Sequence, residues 1–148
     1  MIKVLAIGNS FSEDATALLR LLTPEIFVRN LFIGGCSLQM HCENAAENLS
    51  AYDYQENGAP LKNDRISIKD ALLSEKWDFV TVQQVSSLSG IIEAYYPYIT
   101  ELINYVKRYS SAEIILHRTW TYEKGSDHPE FFRYEFSPEI MWQKIKSA

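Results

Sequence analysis

Short apolar runs alternate with stretches of helical periodicity along this chain, and this alternation limits its possible folds more than any other feature. The runs cover residues 2–7, 26–33, 77–82 and 113–116, and the first ends at Gly8. Continuous apolar runs of this length are typical of parallel strands that are buried on both faces. Strands that alternate with helices form right-handed βαβ units. The pattern therefore predicts an α/β fold with a doubly wound parallel sheet between helices.

The segments between these runs carry apolar residues at helical spacing. They predict helices over residues 15–23, 37–52, 67–74, 91–109 and 138–146. Pro24 ends the first of these helices. Pro97 can be accommodated in the fourth only near its first turn or at a kink. Residues 53–66 are polar and contain Asn57-Gly58, a dipeptide that favours a tight hairpin turn. We expect a small excursion from the α/β pattern there.

The composition is that of one ordinary globular domain spanning residues 1–148. The chain is 47% hydrophobic and carries a formal net charge of -5, with its 14 Lys and Arg residues scattered singly. Scattered cations offer no basic surface to a phosphate backbone, so we expect no nucleic acid partner. No apolar run approaches the ~18 residues of a membrane span, and none forms a signal-peptide core. We therefore expect no membrane partner and a cytoplasmic location for the chain as given.

The cysteines do not indicate a disulfide framework or a metal site. Cys36 and Cys42 are six residues apart and form no CxxC motif, and His41 adds only a third ligand at an unfamiliar spacing. A structural zinc ion requires about four convergent ligands. We expect neither a metal nor a cofactor.

In an open parallel sheet, ligands bind beyond the carboxyl ends of the strands. The loops to consider are therefore residues 8–12, 34–37, 83–87 and 117–122. The first of them leaves two interpretations of Ser10 open. Ser10 and Glu13 have the spacing of a helix capping box. A hydroxyl at a helix N-terminus also lies beside free backbone N–H groups that stabilise an alkoxide or an oxyanion.

The next two loops are equally open to a structural or a chemical interpretation. Gly34-Gly35 lets backbone N–H groups approach a ligand closely, but such pairs also simply form turns. Gln83 and Gln84 follow an apolar strand directly, where a side-chain amide can donate to an oxyanion or satisfy a polar turn.

Four segments together resemble the SGNH (GDSL-like) hydrolase superfamily, and in particular an uncharacterised esterase-like branch of it. They read AIGNSFSEDA, FIGGCSL, WDFVTVQQVSSLSG and ILHRTW, and the resemblance spans nearly the whole chain. It implies a three-layer α/β/α sandwich with flavodoxin-like winding and no cofactor. It also implies hydrolysis of a small ester, such as an acetyl group on a carbohydrate.

The resemblance implies a role for individual residues of this chain. Ser10 would be the nucleophile, and Gly35 N–H would join the Ser10 N–H in the oxyanion hole. Gln84 would take the place of the family's asparagine as third donor, with Gln83 as its substitute, although glutamine is longer by one methylene. We expect the substrate pocket to include Asn9, Trp120 and Tyr122.

The family's base histidine belongs to an Asp-x-x-His block near its C-terminus, and no such block occurs in these residues. We therefore expect an SGNH domain that is incomplete at its C-terminus. His117, which ends the fourth predicted strand, is the candidate for a base or a pocket residue.

Two other functions are compatible with the sequence. The chain could be a catalytically incomplete interaction module that forms a homodimer through an exposed sheet edge. It could also hold a phosphate or a flavin phosphate at the first helix N-terminus. Self-association without esterase activity would favour the first, and yellow colour in the purified protein would favour the second.

Overall fold

A computed structural model describes residues 1–148, except for the side chains of residues 62–64. Its centre is a six-stranded sheet in the order β4-β3-β2-β1-β5-β6. The strands are β1 (Ile2–Gly8), β2 (Ile26–Phe32), β3 (Tyr52–Glu56), β4 (Ala59–Ile66), β5 (Phe79–Val82) and β6 (Glu113–Leu116).

The four strands predicted from the apolar runs form the parallel part of the sheet. Strand β1 lies between β2 and β5, with Ile7 opposite Leu31 on one side and Val82 on the other, and β6 pairs with β5. The carboxyl ends of these strands therefore share one edge of the sheet. The α/β fold and its doubly wound order are as the sequence predicts.

The polar excursion is an antiparallel hairpin that extends the sheet beyond β2. Asn57 and Gly58 have positive φ angles of 53° and 73°, so the predicted turn is confirmed. The helix predicted over residues 37–52 ends earlier than expected, at Ala46. Asn48 turns the chain with a φ of 49°, and Tyr52 begins β3.

The other helices follow the predicted order with changed boundaries. The α-helices are α1 (Ser10–Ala17), α2 (Leu19–Leu22), α3 (Leu38–Ala46), α4 (Ile68–Ser74), α5 (Tyr98–Tyr109) and α6 (Pro138–Ser147). The long helix predicted over residues 91–109 is divided, because Pro97 precedes α5 and the segment before it forms only a short 3₁₀ turn. Ser137 caps α6, with Pro138 at its first position.

The two faces of the sheet are covered by different helices. Leu5, Ile7, Val80 and Val82 are fully buried in a core that α3, α4 and α5 cover. Helices α1 and α2 lie over the opposite face, beside a largely apolar groove. Tyr122 joins α6 and the preceding 3₁₀ turn in a second, smaller core. No helix in the described part of the chain has the length and hydropathy needed to cross a membrane.

Candidate active site

The four loops at the carboxyl ends of the parallel strands meet, and the buried side chain of Asn9 joins three of them. Its Nδ2 donates to Cys36 O at 3.1 Å and to Gln84 O at 3.5 Å. The fourth loop contacts the first, because the rings of Phe11 and Trp120 lie 4.4 Å apart. The predicted convergence of these loops is therefore confirmed.

There is no room for a side chain at Gly8, where the first loop begins. A Cβ atom at Gly8 would lie 2.2 Å from Ser12 Oγ and 3.0 Å from Gln83 Oε1. Only glycine therefore fits where β1 is connected to α1, because any larger residue would displace the side chains beneath it.

Ser10 is the first residue of α1, and Asn9 is the residue that caps this helix. Asn9 Oδ1 accepts a hydrogen bond from Phe11 N at 3.1 Å. The predicted capping box of Ser10 and Glu13 is therefore wrong, and Glu13 instead accepts from Gln55 Nε2 at 2.6 Å. Ser10 is exposed, and its hydroxyl has no hydrogen-bond partner among the described residues. It stands free at the positive end of the helix.

The second loop presents Gly35 at the surface. Its φ is +66°, a left-handed conformation that favours glycine, and no atom lies within 4 Å of where a Cβ would stand. Asn9 holds the carbonyl of the next residue, Cys36, so the backbone directly after Gly35 is tied to the first loop. Ser37 then caps α3 by accepting from Met40 N at 3.2 Å.

A chain of buried polar side chains lies beneath the first loop. Ser12 Oγ lies 2.9 Å from Asn30 Oδ1, Asn30 Nδ2 donates to Gln55 Oε1 at 2.9 Å, and Gln55 donates on to Glu13. Ser12, Asn30 and Gln55 are each at most 2% exposed. Residue spacing in the sequence did not predict this network. Its signal was Asn30, a polar residue within the apolar strand β2.

The two glutamines of the third loop are turned into the protein. Gln84 Oε1 accepts from Leu38 N and Val85 N, and Gln84 Nε2 donates to Ala94 O at 2.9 Å. With 1% exposure, Gln84 connects the second and third loops and does not present its amide at the surface as an oxyanion donor would. The Asn9 side chain is likewise 1% exposed, caps α1 and holds the second and third loops. Its place in the substrate pocket stays a prediction.

Gln83 lies against His117 at the end of β6. Gln83 Nε2 is 3.3 Å from His117 Nδ1, and Gln83 Oε1 is buried without a hydrogen-bond partner. Burial lowers the pKa of His117 below its ordinary value, because the charged imidazolium loses solvation. His117 is therefore neutral at pH 7 and able to accept a proton.

An open cavity of about 550 Å³ has Trp120 and Phe11, the residue that follows Ser10 in the chain, at its wall. Trp120 is 42% exposed, whereas Tyr122 is 8% exposed and donates to or accepts from Ser86 Oγ at 2.8 Å. Phe11 and Trp120 therefore form an accessible aromatic surface. Phe11 was not among the residues predicted for the site. Other residues that line the cavity are Thr121, Tyr122, Glu123 and Ser126.

His41 lies fully buried behind the second loop. Its Nδ1 is 2.9 Å from Tyr52 Oη and 3.4 Å from Cys36 Sγ, and burial lowers the pKa of His41 to about 3. Burial also raises the pKa of the Cys36 thiol to about 12, so this thiol is not a nucleophile at neutral pH. Within the described side chains, no three His, Cys, Asp or Glu residues converge as metal ligands.

Comparisons with known proteins agree with the α/β fold. A family described as a domain of unknown function, DUF4886, matches residues 3–148. The crystal structure of a DUF4886 family protein from Bacteroides uniformis shares 37% sequence identity, with a TM-score of 0.92 over 99% of this chain. The match covers 60% of that protein, so this chain spans less than two thirds of its length.

A second solved structure, from Slackia heliotrinireducens, is described as a "putative SGNH hydrolase". It has 22% identity and a TM-score of 0.68, and the match covers 99% of this chain and 70% of that one. At this identity the likeness supports the SGNH-like fold alone. No curated protein matches the chain.

Proposed function

The chain belongs to the DUF4886 family, and on that premise we propose that it is a serine esterase of the SGNH type with Ser10 as the nucleophile. The observation that carries the proposal is the free Ser10 hydroxyl at the first turn of α1. This hydroxyl is free because Asn9, and not Ser10, caps the helix. An exposed hydroxyl beside unpaired helix N–H groups is suited to attack on a carbonyl, because those groups stabilise the negative charge that develops.

In the proposed reaction, Ser10 Oγ attacks the ester carbonyl carbon and its proton passes to a base. The oxyanion receives hydrogen bonds from the N–H groups of Ser10 and Gly35. Its collapse expels the alcohol, which takes up the proton, and water then releases the acid from the acyl-enzyme. Gly35 suits this role because its left-handed conformation and missing side chain leave its N–H accessible.

We assign the base to His117, whose lowered pKa keeps the ring neutral. A neutral imidazole accepts a proton at Nε2 only when Nδ1 carries the hydrogen. Gln83 Oε1, which otherwise has no partner, can accept the hydrogen bond from this N–H. This requires the Gln83 amide to be rotated by 180°, so that Oε1 replaces Nε2 beside His117 Nδ1. Gln83 is then a positioning residue for His117.

The substrate class that fits the cavity is an acetylated carbohydrate. Phe11 and Trp120 offer aromatic faces, and Glu123 and Ser126 offer hydrogen-bonding groups on the same wall. Sugar rings combine apolar faces with hydroxyl groups and can use both kinds of contact. We expect Trp120→Ala to raise KM for acetylated sugars while leaving p-nitrophenyl acetate hydrolysis nearly unchanged.

The direct test is p-nitrophenyl acetate hydrolysis by the wild type and by Ser10→Ala. We expect Ser10→Ala to lose activity by about 10³-fold or more, because the covalent step is removed. Ser111→Ala is the matched control, since Ser111 is also exposed and lies before the amino end of β6. Equal rates for wild type and Ser10→Ala, with both folded, would contradict the proposal.

The assignment of His117 has its own test in the pH dependence of the reaction. Activity should rise with pH as His117 loses its proton, with a midpoint below 6.5, and His117→Asn should remove this limb. Gln83→Glu should move the limb to higher pH, because a carboxylate stabilises the imidazolium. An unchanged profile in both variants would exclude His117 as the base.

A further inference from the structure

A cavity of about 400 Å³ lies between α3, α4 and α5, outside the candidate active site. Its lining residues fall within residues 42–48, 69 and 101–109, and none belongs to the four loops at the carboxyl ends of the strands. The three helices contact one another directly and form the cavity walls. None of the lining residues has a role in the proposed esterase reaction.

The floor of this cavity is uncharged. Leu102 is fully buried, and the small side chains of Ala45 and Ala46 leave space between α3 and α5. The Cys42 thiol donates to a backbone carbonyl group at 3.2 Å. Burial raises the pKa of Cys42 to about 11, and the nearby Glu101 carboxylate adds to this rise, so the thiol is neutral at pH 7. A ligand in the cavity would therefore rest on a largely apolar surface.

Two cations lie together at one end of the cavity. The Lys69 ammonium is 5.4 Å from the centre of the Tyr109 ring. Burial raises the pKa of the Tyr105 phenol and the positive charge of Arg108 opposes this rise, so Arg108 lies near the Tyr105 ring. The two tyrosine rings are in edge contact, with their centroids 5.1 Å apart. Lys69 and Arg108 therefore flank one aromatic pair at the cavity wall.

Among the side chains that the structure describes, neither Lys69 nor Arg108 forms an ion pair. Asp70, which follows Lys69, accepts instead from Ser67 Oγ at 2.8 Å, beside the α4 cap. Glu101 precedes Arg108 by two helical turns, about 10 Å along α5. The cavity therefore has two cations without a carboxylate partner at one end and a single carboxylate towards the other.

We propose that this cavity binds a small organic anion, with Lys69 and Arg108 holding its carboxylate or phosphate group. The rest of the ligand, an aliphatic or aromatic body, lies on Leu102 and Ala45. Ammonium and guanidinium groups donate strong charge-assisted hydrogen bonds to such oxygens. Glu101 would repel a second anionic group, so the ligand carries its negative charge at one end only.

A nuclear magnetic resonance titration of the wild type tests the site with four probes. Phenyl phosphate and phenylacetate carry both the charge and the apolar body, inorganic phosphate carries only the charge, and phenol carries only the body. We expect the first two to shift the backbone amides of Leu102 and Tyr105. They should bind at least about tenfold more tightly than inorganic phosphate or phenol. No shift at these amides, or equal affinity for phenol, would overturn the proposal.

Substitutions at the cationic end test the charged contacts. Arg108→Gln and Lys69→Gln should each weaken phenyl phosphate binding by about tenfold, because each removes a charged donor. Lys107→Gln is the matched control, since Lys107 is exposed on the same helix but does not line the cavity. The amide spectrum of each variant shows that it is folded. Equal weakening by Arg108→Gln and Lys107→Gln would reveal a general effect of net charge and overturn the assignment.

Ala46→Leu tests the cavity without a change of charge. Ala46 is exposed, so leucine is tolerated there while it occupies space in the cavity. We expect Ala46→Leu to weaken phenyl phosphate binding more than inorganic phosphate binding. Trp120→Ala separates this cavity from the candidate active site and should leave the titration unchanged. Loss of binding in Trp120→Ala but not in Ala46→Leu would place the anion in the candidate active site and overturn the proposal.

Discussion

Two layers at the carboxyl edge of the sheet use similar residues for different purposes. The exposed rim consists of Ser10, Gly35 and Trp120, and the buried polar layer consists of Ser12, Asn30, Gln55, Gln84 and His41. Ser10 and Ser12 are two residues apart, yet Ser10 is exposed with a free hydroxyl while Ser12 is fully buried and bonded to Asn30. The difference shows that, in these loops, polar groups satisfied within the protein position the backbone, and unsatisfied groups at the surface are available for chemistry.

The largest expected effect concerns His41 in the buried polar layer. Burial lowers the pKa of His41 to about 3 in the folded chain, against 6.5 for an ordinary histidine. The unfolded chain therefore binds more protons between these values, and folding stability must fall as pH falls through that window. We expect a loss of about 3 kcal/mol between pH 6.5 and about pH 4 from this group.

Chemical denaturation of the wild type and His41→Asn across that range measures this contribution. Asparagine keeps a polar group near Tyr52 but does not titrate, so His41→Asn should show a shallower dependence on pH. Identical slopes in the two proteins would mean that His41 is not held neutral by burial.

Gly8→Ala should cost about 2 to 3 kcal/mol of folding free energy. Its Cβ would stand 2.2 Å from Ser12 Oγ, so Ser12 and the network below it must shift. Gly34→Ala is the control on the rim, because its Cβ meets only Phe32 Cζ at 3.8 Å. Thermal denaturation that finds the two variants equally stable would contradict the close approach at Gly8.

Asn30→Ala should cost about 2 kcal/mol, because it leaves Gln55 Oε1 without its donor and removes one hydrogen bond of Ser12 Oγ in a buried site. Ser10→Ala should change stability by less than about 0.5 kcal/mol, since its hydroxyl has no such bond. Urea denaturation of both variants compares the two layers directly. A larger loss for Ser10→Ala would reverse the distinction drawn between them.

Gly35→Ala should cost about 1 kcal/mol of folding free energy, because only its φ of +66° opposes alanine. Gly125→Ala should cost a similar amount, since Gly125 also has a positive φ and open space around it. The two should differ in p-nitrophenyl acetate hydrolysis, which only Gly35→Ala should impair. Equal activities would remove Gly35 from the oxyanion hole.

The sequence by itself determined the α/β fold and which loops form the candidate site. Apolar runs that alternate with helical patterns define buried parallel strands, and strands in parallel bring their carboxyl ends to one edge. Asn57-Gly58 predicted the hairpin turn, because its dihedral preferences are local. Ser10 and Gly35 could be predicted as candidate site residues because each lies just after the end of a predicted strand.

Only the tertiary structure decided which polar residues serve the fold. The helix predicted over residues 37–52 stops at Ala46, and Tyr52 is drawn into β3, where its hydroxyl meets His41. Asn9 and Gln84 carry the same amide groups that an oxyanion hole uses, yet contacts with distant loops turn them inward. Sequence spacing cannot reveal this, because a polar side chain becomes a support or a reactive group according to partners that lie far away along the chain.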